Sequence, residues 1–173
     1  LLMRFTEIFQ TIPFFLFAIL LVAVLTPSIR NVIIAIAIVS WPPMARLVRG
    51  EFLSMRNREF VLACVSMGMS NARIILRHIL PNSLGPVIVA ATIDVAAAII
   101  AESTLSFLGL GFPPDIPTWG RILYDARDYM DLAVHWAMFP GFAIFVTVLT
   151  INFIGGLETP LFAATFSDHP EVV

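Results

Sequence analysis

The chain has 173 residues, of which 59% are hydrophobic and 13% charged, and its formal net charge at pH 7 is −2. A soluble domain carries about 25% charged residues, so this composition excludes an ordinary soluble protein and indicates an integral membrane protein. We predict an all-α fold with about four transmembrane helices, because a bilayer admits only helices and closed barrels and the alternating pattern of barrel strands is absent.

The first predicted span is the uncharged stretch at residues 8–29. A transmembrane helix needs roughly 20 apolar residues, and this stretch is long enough. Pro13 lies in its first turns and is expected to kink the helix there. A short turn at residues 26–31, which contains Pro27, ends the span.

The second predicted span begins with the apolar residues 32–45. This run is too short to cross a bilayer alone. It is therefore expected to continue past Arg46 and Arg49, whose long side chains can reach the lipid head groups. The pair Pro42 and Pro43 is expected to kink it.

A polar insert at residues 50–82 follows, and its pattern predicts two short helices. The first covers about residues 58–67 and ends at Gly68, because glycine is favoured just after a helix. The second begins after Ser70, a favoured capping residue, and is expected to end at Pro81.

Six of the ten basic residues flank or lie within this insert: Arg46, Arg49, Arg56, Arg58, Arg73 and Arg77. The positive-inside rule therefore predicts that the insert is cytosolic. Its second helix is amphipathic, with Arg73 and Arg77 on one face. These features leave two interpretations open. The insert is either a surface hairpin that binds anionic lipid or an element that docks into a groove on a cytosolic subunit.

The third predicted span covers residues 84–110 and carries two carboxylates, Asp94 and Glu102. Charges at membrane depth are costly and usually face a bundle interior or water. Both side chains are therefore candidates to line a translocation path or to bind a cationic group of a cargo. The alternative is a packing role, in which the carboxylate is protonated or paired with an arginine. Asp94 also lies on a stripe of alanines, which favours close helix contact.

An outer loop at residues 111–135 and a fourth span at residues 136–157 complete the predicted transmembrane domain, which covers residues 1–157. Both chain termini are then expected in the cytosol and the loop outside. The tail at residues 158–173 is expected to be flexible. Four aromatic side chains suit the lipid interface: Trp119, Tyr124, Tyr129 and Trp136.

The motifs of enzymes and metal sites are missing from the sequence, so we expect no catalytic residue, no metal ligand and no cofactor bound by this chain. The histidines lack metal-ligand spacing: His78, His135 and His169. The chain has no lysine for a Walker A loop and no Gly-x-Ser-x-Gly motif. ATP and Mg²⁺ would have to be handled by another subunit.

The insert resembles the cytoplasmic EAA loop of permease subunits of ATP-binding-cassette (ABC) importers. That loop has Glu-Ala-Ala followed at fixed spacing by Gly and by Leu-Pro, and Ala63, Gly68, Leu80 and Pro81 match it. Leu62 replaces the glutamate, although Glu59 lies one turn earlier.

Two further segments resemble the dipeptide, oligopeptide and nickel subfamily of these permeases. One is the Arg-His-Ile-Leu-Pro-Asn run that begins at Arg77. The other is Ala-Glu-Ser-Thr-Leu-Ser-Phe-Leu-Gly-Leu-Gly at residues 101–111, which contains Glu102 and Ser106. Members usually have six spans, so the first two are expected to be absent from this chain.

The resemblance implies a multi-pass permease subunit in the cytoplasmic (inner) membrane of a bacterium or archaeon, which works by alternating access and is not an enzyme. The implied partners are a second, homologous permease subunit, two cytosolic ABC ATPase subunits and a periplasmic or extracellular solute-binding protein. The implied cargo is a peptide or a related small solute. No nucleic-acid partner is expected.

Site residues follow from the same resemblance. The implied coupling residues are Glu59, Ala63, Gly68, Arg73, Ile74, Arg77, His78, Leu80 and Pro81, and the implied path residues are Asp94, Glu102 and Ser106. Two rival functions stay open: a secondary transporter that couples protons through Asp94 and Glu102, and a truncated membrane fragment that does not transport.

Overall fold

Helices and short connecting turns make up the part of the chain described by the computed structural model, which comprises residues 2–25 and 28–167. The α-helices are α1 (Leu2–Thr11), α2 (Phe14–Val24), α3 (Ile29–Arg56), α4 (Glu59–Ser66), α5 (Asn71–Ile74), α6 (Leu80–Phe107), α7 (Trp119–Ala126) and α8 (His135–Ser167). A π-helical turn, Ile75–Ile79, joins α5 to α6, and a 3₁₀ turn, Arg127–Tyr129, follows α7.

Among the described residues, three helical runs are long and apolar enough to cross a membrane: Ile29–Arg56, Asn71–Phe107 and His135–Leu157. A fourth candidate exists if α1 and α2 are counted as one span, although the two helices meet at 85°. The prediction of an all-α membrane protein with about four spans is therefore confirmed.

The kink predicted at Pro13 in the first span, residues 8–29, is confirmed, and it is a complete break between α1 and α2. The chain breaks at Pro13, which precedes α2 with φ −55° and ψ 130°. Proline lacks the N–H of a helical bond, and it disfavours helical geometry in the residue before it, here Ile12. The predicted turn begins at Thr26 and Pro27, which lie outside the described residues.

The second span continues past Arg46 and Arg49, as predicted, and reaches Arg56 within α3. Residues 50–56, the expected start of the insert, still belong to this helix, and the boundary of the insert at Gly50 stays a prediction. The expected kink at Pro42 and Pro43 stays a prediction.

The chain divides into two compact units. The first contains Leu1–Pro42 and Ile93–Asn152. Its core joins α2, α3 and one residue of α6, and all core members except Val39 are at most 1% exposed: Ala18, Val22, Val32, Ala35, Val39 and Leu105. The residues from α3 recur at spacings of three and four, so one stripe of that helix is buried.

The second unit contains Pro43–Thr92 and Phe153–Val173. Its core is smaller and lies within the insert, where it consists of Val61, Cys64, Ile74 and Ile79, with Phe52, Met55 and Met69 packed against them. The end of α3, the helix α4 and the start of the run from Asn71 therefore fold onto one another.

Two segments expected to be irregular are partly helical. The outer loop contains α7 and the 3₁₀ turn. Thr118 begins α7, since its hydroxyl accepts a bond from the backbone N–H of Arg121 at 3.1 Å, a cap the loop assignment overlooked. The predicted flexible tail is helical as far as Ser167 within α8, and residues 168–173 lie outside the described part of the chain.

Candidate functional site

The insert forms a helical hairpin, defined here as residues 57–80, in which α4 packs beside the run that starts at Asn71. A tight turn at Asn57 and Arg58 reverses the chain after α3. The Arg58 carbonyl then accepts bonds from the N–H groups of Val61 (3.0 Å) and Leu62 (3.1 Å). Glu59 lies in the first turn of α4, where a carboxylate is favoured by the helix dipole.

The turn at Gly68 ends α4 with a Schellman motif. Gly68 has φ +73°, its N–H bonds the Val65 carbonyl at 2.9 Å, and the Met69 N–H bonds the Cys64 carbonyl at 3.1 Å. This left-handed conformation favours glycine because other residues carry a Cβ that crowds the backbone. The prediction that α4 stops at Gly68 is therefore confirmed, with the helix one residue shorter at each end than expected.

The second hairpin helix does not stop at Pro81 as predicted. It passes through the π turn Ile75–Ile79 into α6, so the helix is continuous from Asn71 to Phe107. Within the turn the Leu80 N–H bonds the Ile75 carbonyl five residues back. Proline tolerates this position because wider turns re-arrange the carbonyls it would otherwise obstruct. The Asn82 side-chain amide donates to the His78 carbonyl at 2.7 Å.

Helix α5 starts after Ser70, as predicted, although the Ser70 side chain makes no capping bond within the described structure. Ile74, which the resemblance implied as a coupling residue, is only 3% exposed and belongs to the hairpin core. It therefore supports the hairpin from inside and is not available on the surface.

The outer face of the hairpin exposes large apolar side chains. Met67 at the turn is 71% exposed and Leu76 in the π turn is 66% exposed. Leu62, Val65 and Ile75 are also exposed. We call these five residues the apolar tip. Sequence reasoning overlooked them, although Leu62 and Val65 are spaced three apart and therefore share a face of α4.

Charged side chains surround the apolar tip. Arg73, Arg77 and Glu59 are exposed and His78 is half-buried. Ala63, Gly68, Leu80 and Pro81 are also exposed, so every implied coupling residue except Ile74 has some surface. The hairpin thus combines a packed inner core with an outer face that no described residue of the chain covers.

The predicted path residues lie on α6, and the structure brings only two of them together. The Ser106 hydroxyl donates to the Glu102 carboxylate at 2.6 Å. Asp94 is half-buried and lies eight residues before Glu102, about 12 Å along the helix axis.

A second Schellman motif ends α6 and explains the first glycine of the Leu-Ser-Phe-Leu-Gly-Leu-Gly signature. Gly109 has φ +78°, and its N–H bonds the Ser106 carbonyl at 3.0 Å. The Leu110 N–H bonds the Leu105 carbonyl at 2.9 Å. Leu110 packs on the core that contains Leu105, which is the hydrophobic contact typical of this cap.

Two glycines of the outer loop press against the last turns of α6. A Cβ on Gly111 would overlap the backbone of Ser106, and a Cβ on Gly120 would overlap the backbone of Ser103. Ser103 is 6% exposed, and its hydroxyl has no hydrogen-bond partner among the described residues. The loop therefore closes tightly over the helix face that carries Ser103 and Ser106.

Tyr124 holds helix α7 against the last turns of α6. A Cβ added at Gly109 would lie 3.3 Å from the Tyr124 ring, and the guanidinium groups of Arg121 and Arg127 each lie 4.7 Å from the ring centre. Arg121 also pairs with Asp125 at 3.0 Å. The ring of Tyr124 thus contributes to cation–π contacts and helix packing, and its expected place at the lipid interface stays a prediction.

Comparisons with known proteins agree with this architecture. The model of the family described as "Binding-protein-dependent transport system inner membrane component" matches residues 1–163. The chain is 46% identical over 159 residues to the dipeptide transport system permease protein DppC of Alkalihalophilus pseudofirmus, which covers 91% of the chain and 52% of that protein.

The chain is also similar to glutathione transport system permease proteins named GsiD. The identity is 46% over 162 residues to those of Shigella flexneri and Escherichia coli O157:H7, covering 93% of the chain and 54% of each relative. The chain therefore spans about half the length of the curated relatives that it matches.

Proposed function

Because the chain belongs to the family of binding-protein-dependent transport system inner membrane components, we propose that it is a transmembrane permease subunit of an ATP-driven ABC importer. It acts in the cytoplasmic membrane of a bacterium or archaeon. A second permease subunit completes the translocation path, two cytosolic ATPase subunits bind and hydrolyse ATP with Mg²⁺, and a solute-binding protein delivers the cargo.

The observation that carries the docking role is the two-faced hairpin. Its inner face is filled by the core around Ile74 and Cys64, whereas Met67 and Leu76 are exposed on the other side. Large apolar side chains on a charged, water-facing insert favour a protein partner, since interface centres are apolar and their rims polar. The apolar tip supplies such a centre, and Arg73 and Arg77 supply the rim.

The hairpin is also stiff enough to transmit movement. The Schellman motif at Gly68 fixes the turn, and the core residues Val61 and Ile74 hold α4 against the following helix. Packed interiors resist deformation, so a displacement of the tip by closing ATPase subunits moves the hairpin as a unit. The continuous helix from Asn71 carries that movement toward the path residues.

We propose that the path is lined by Asp94, Glu102 and Ser106 on α6. Two of the relatives are named for the transport of dipeptides and of glutathione, which are peptides with a cationic amino group. The Glu102 carboxylate, oriented by the Ser106 hydroxyl, is suited to attract that group during passage. Peptides or closely related solutes are therefore the proposed cargo.

The docking role is tested by co-purifying the chain with the ATPase subunits of the proposed importer. Leu76→Ser and Met67→Ser remove exposed apolar groups without disturbing the core. Each is expected to weaken ATPase binding at least tenfold, as substitutions at the centre of an interface do. Leu132→Ser is the matched control, because Leu132 is even more exposed, at 88%, but lies in the outer loop, and it should leave binding unchanged.

Unchanged ATPase binding by both tip variants would reject the docking role. If the same variants instead weakened binding of the chain's hairpin to anionic vesicles, the hairpin would be a lipid-binding element. The importer role is tested separately in liposomes that hold all subunits: uptake should require ATP inside, and uptake driven by a proton gradient without ATPase subunits would reject it.

A further inference from the structure

Helix α1 carries three different faces. Thr6 is 3% exposed and faces the protein. Arg4 and Glu7 form an exposed ion pair at 3.0 Å. Phe5, Ile8 and Ile12 share a third face by their helical spacing, and all three are exposed, with Ile8 at 64%. A short helix with separate polar and apolar surfaces is typical of segments that lie in a membrane interface.

The bend before α2 bears on the orientation of α1 relative to the membrane. The two helices meet at 85°, and α2 is an apolar helix with Leu16 and Leu20 exposed. If α2 follows the membrane normal, α1 lies parallel to the membrane plane.

Aromatic contacts place α1 at a defined level of α3. The Phe5 and Phe9 rings lie 6.2 and 5.7 Å from the Trp41 ring. Trp41 precedes Arg46, the first of the arginines that predict the cytosolic side of the membrane, by five residues, which is about 7.5 Å of helix. Interfacial helices lie about 5–10 Å below the head groups, and tryptophan is enriched at that level.

We propose that α1 is an interfacial helix on the cytosolic side of the bilayer, with Phe5, Ile8 and Ile12 in contact with lipid acyl chains and with Arg4 and Glu7 in the head-group water. We expect lipid and not a protein to cover this face. The three partly exposed side chains offer far less surface area than the roughly 800 Å² that each partner contributes to a standard protein interface. This inference is independent of the proposed transport function.

Spin labels on single cysteines test the proposal in the full chain reconstituted in phosphatidylcholine–phosphatidylglycerol vesicles. Cys64, the single cysteine, is first replaced (Cys64→Ala), and labels are placed by Glu7→Cys, Ile8→Cys and Ile12→Cys. Leu16→Cys and Leu20→Cys serve as controls on α2. Accessibility to dissolved oxygen and to a water-soluble nickel chelate then gives the depth of each label.

The expected result is that the labels at positions 8 and 12 lie at the same shallow depth, while the label at position 7 is accessible to the nickel chelate. The labels at positions 16 and 20 should differ in depth by about 6 Å, the rise of four helical residues. A 6 Å difference between positions 8 and 12 would overturn the proposal, because α1 would then run along the normal.

Protection of positions 8 and 12 from both reagents would also overturn it, because protein would then cover the apolar face. Each labelled variant is compared with the Cys64→Ala parent by its unfolding in sodium dodecyl sulfate, so a misfolded variant is recognised. A misfolded variant at position 8 or 12 is replaced by Phe5→Cys, which lies on the same face of α1.

Discussion

Alanine at Gly120 should destabilise the protein strongly. Its Cβ would overlap the Ser103 backbone, and would lie 2.7 Å from the Ser103 Cα and 2.8 Å from the Ser106 Cβ. Ordinary carbon contacts are about 3.5–4.0 Å, so α7 would have to move about 1 Å away from α6. The atoms in the way are mainly backbone and cannot rotate aside.

The cost follows from these contacts. Overpacking costs typically about 1–3 kcal/mol, and the upper end applies because backbone must shift. We therefore expect Gly120→Ala to lower the free energy of unfolding by about 3 kcal/mol, roughly a 100-fold change in the folding equilibrium. Gly141→Ala is the matched control: Gly141 is also helical but has open space around it, so alanine should gain about 0.5–1 kcal/mol.

The measurement is unfolding of the reconstituted chain in mixed micelles titrated with sodium dodecyl sulfate, followed by far-ultraviolet circular dichroism. ATP-driven uptake by the assembled transporter gives a second readout, since the loop would no longer close over Ser106. Equal unfolding midpoints for Gly120→Ala and Gly141→Ala would refute the reasoning, because they would show that α7 can retreat without cost.

Three further results are expected. Gly68→Val should destabilise the hairpin by about 1–2 kcal/mol through its left-handed conformation, whereas Gly68→Asn should cost less; equal stability of the two variants in detergent would contradict this. Ser103→Ala should be neutral or stabilising by up to about 1 kcal/mol, because it removes a buried hydroxyl that has no partner among the described residues, and a large loss of stability would instead indicate a bound water or ligand. Ile74→Ala should lower the free energy of unfolding by about 2–5 kcal/mol, because Ile74 is buried. Leu76→Ala should leave stability unchanged and weaken ATPase co-purification. The reverse pattern would show that the buried and exposed faces of the hairpin are misassigned.

The prolines explain which parts of the fold the sequence could predict. Pro13 and Pro81 carry the same local signal, a missing N–H and a bulky ring. The helix breaks at Pro13 but continues through Pro81, where a π turn and the Asn82 bond to the His78 carbonyl accommodate the ring. That difference depends on how the neighbouring turns can relax and on what packs beside them, and the presence of a proline predicts neither.

The glycines were more informative because their requirement is local. Gly68 was predictable as the end of α4, since a left-handed residue after a helix favours glycine. The exposed tip was not, because the residues on both faces of this helix are apolar and the sequence does not say which face packs inward. Ile74 is buried while Leu76 is exposed, as residues two apart on a helix lie on opposite faces.

The buried thiol of Cys64 can report on the state of the hairpin. It is the single cysteine of the chain and is 6% exposed in the hairpin core, so a maleimide reagent can react only when that core opens. The labelling rate therefore reports local opening. In the importer proposed above, the rate with and without ATP would show whether the hairpin core opens during transport, and the native cysteine would serve as the probe.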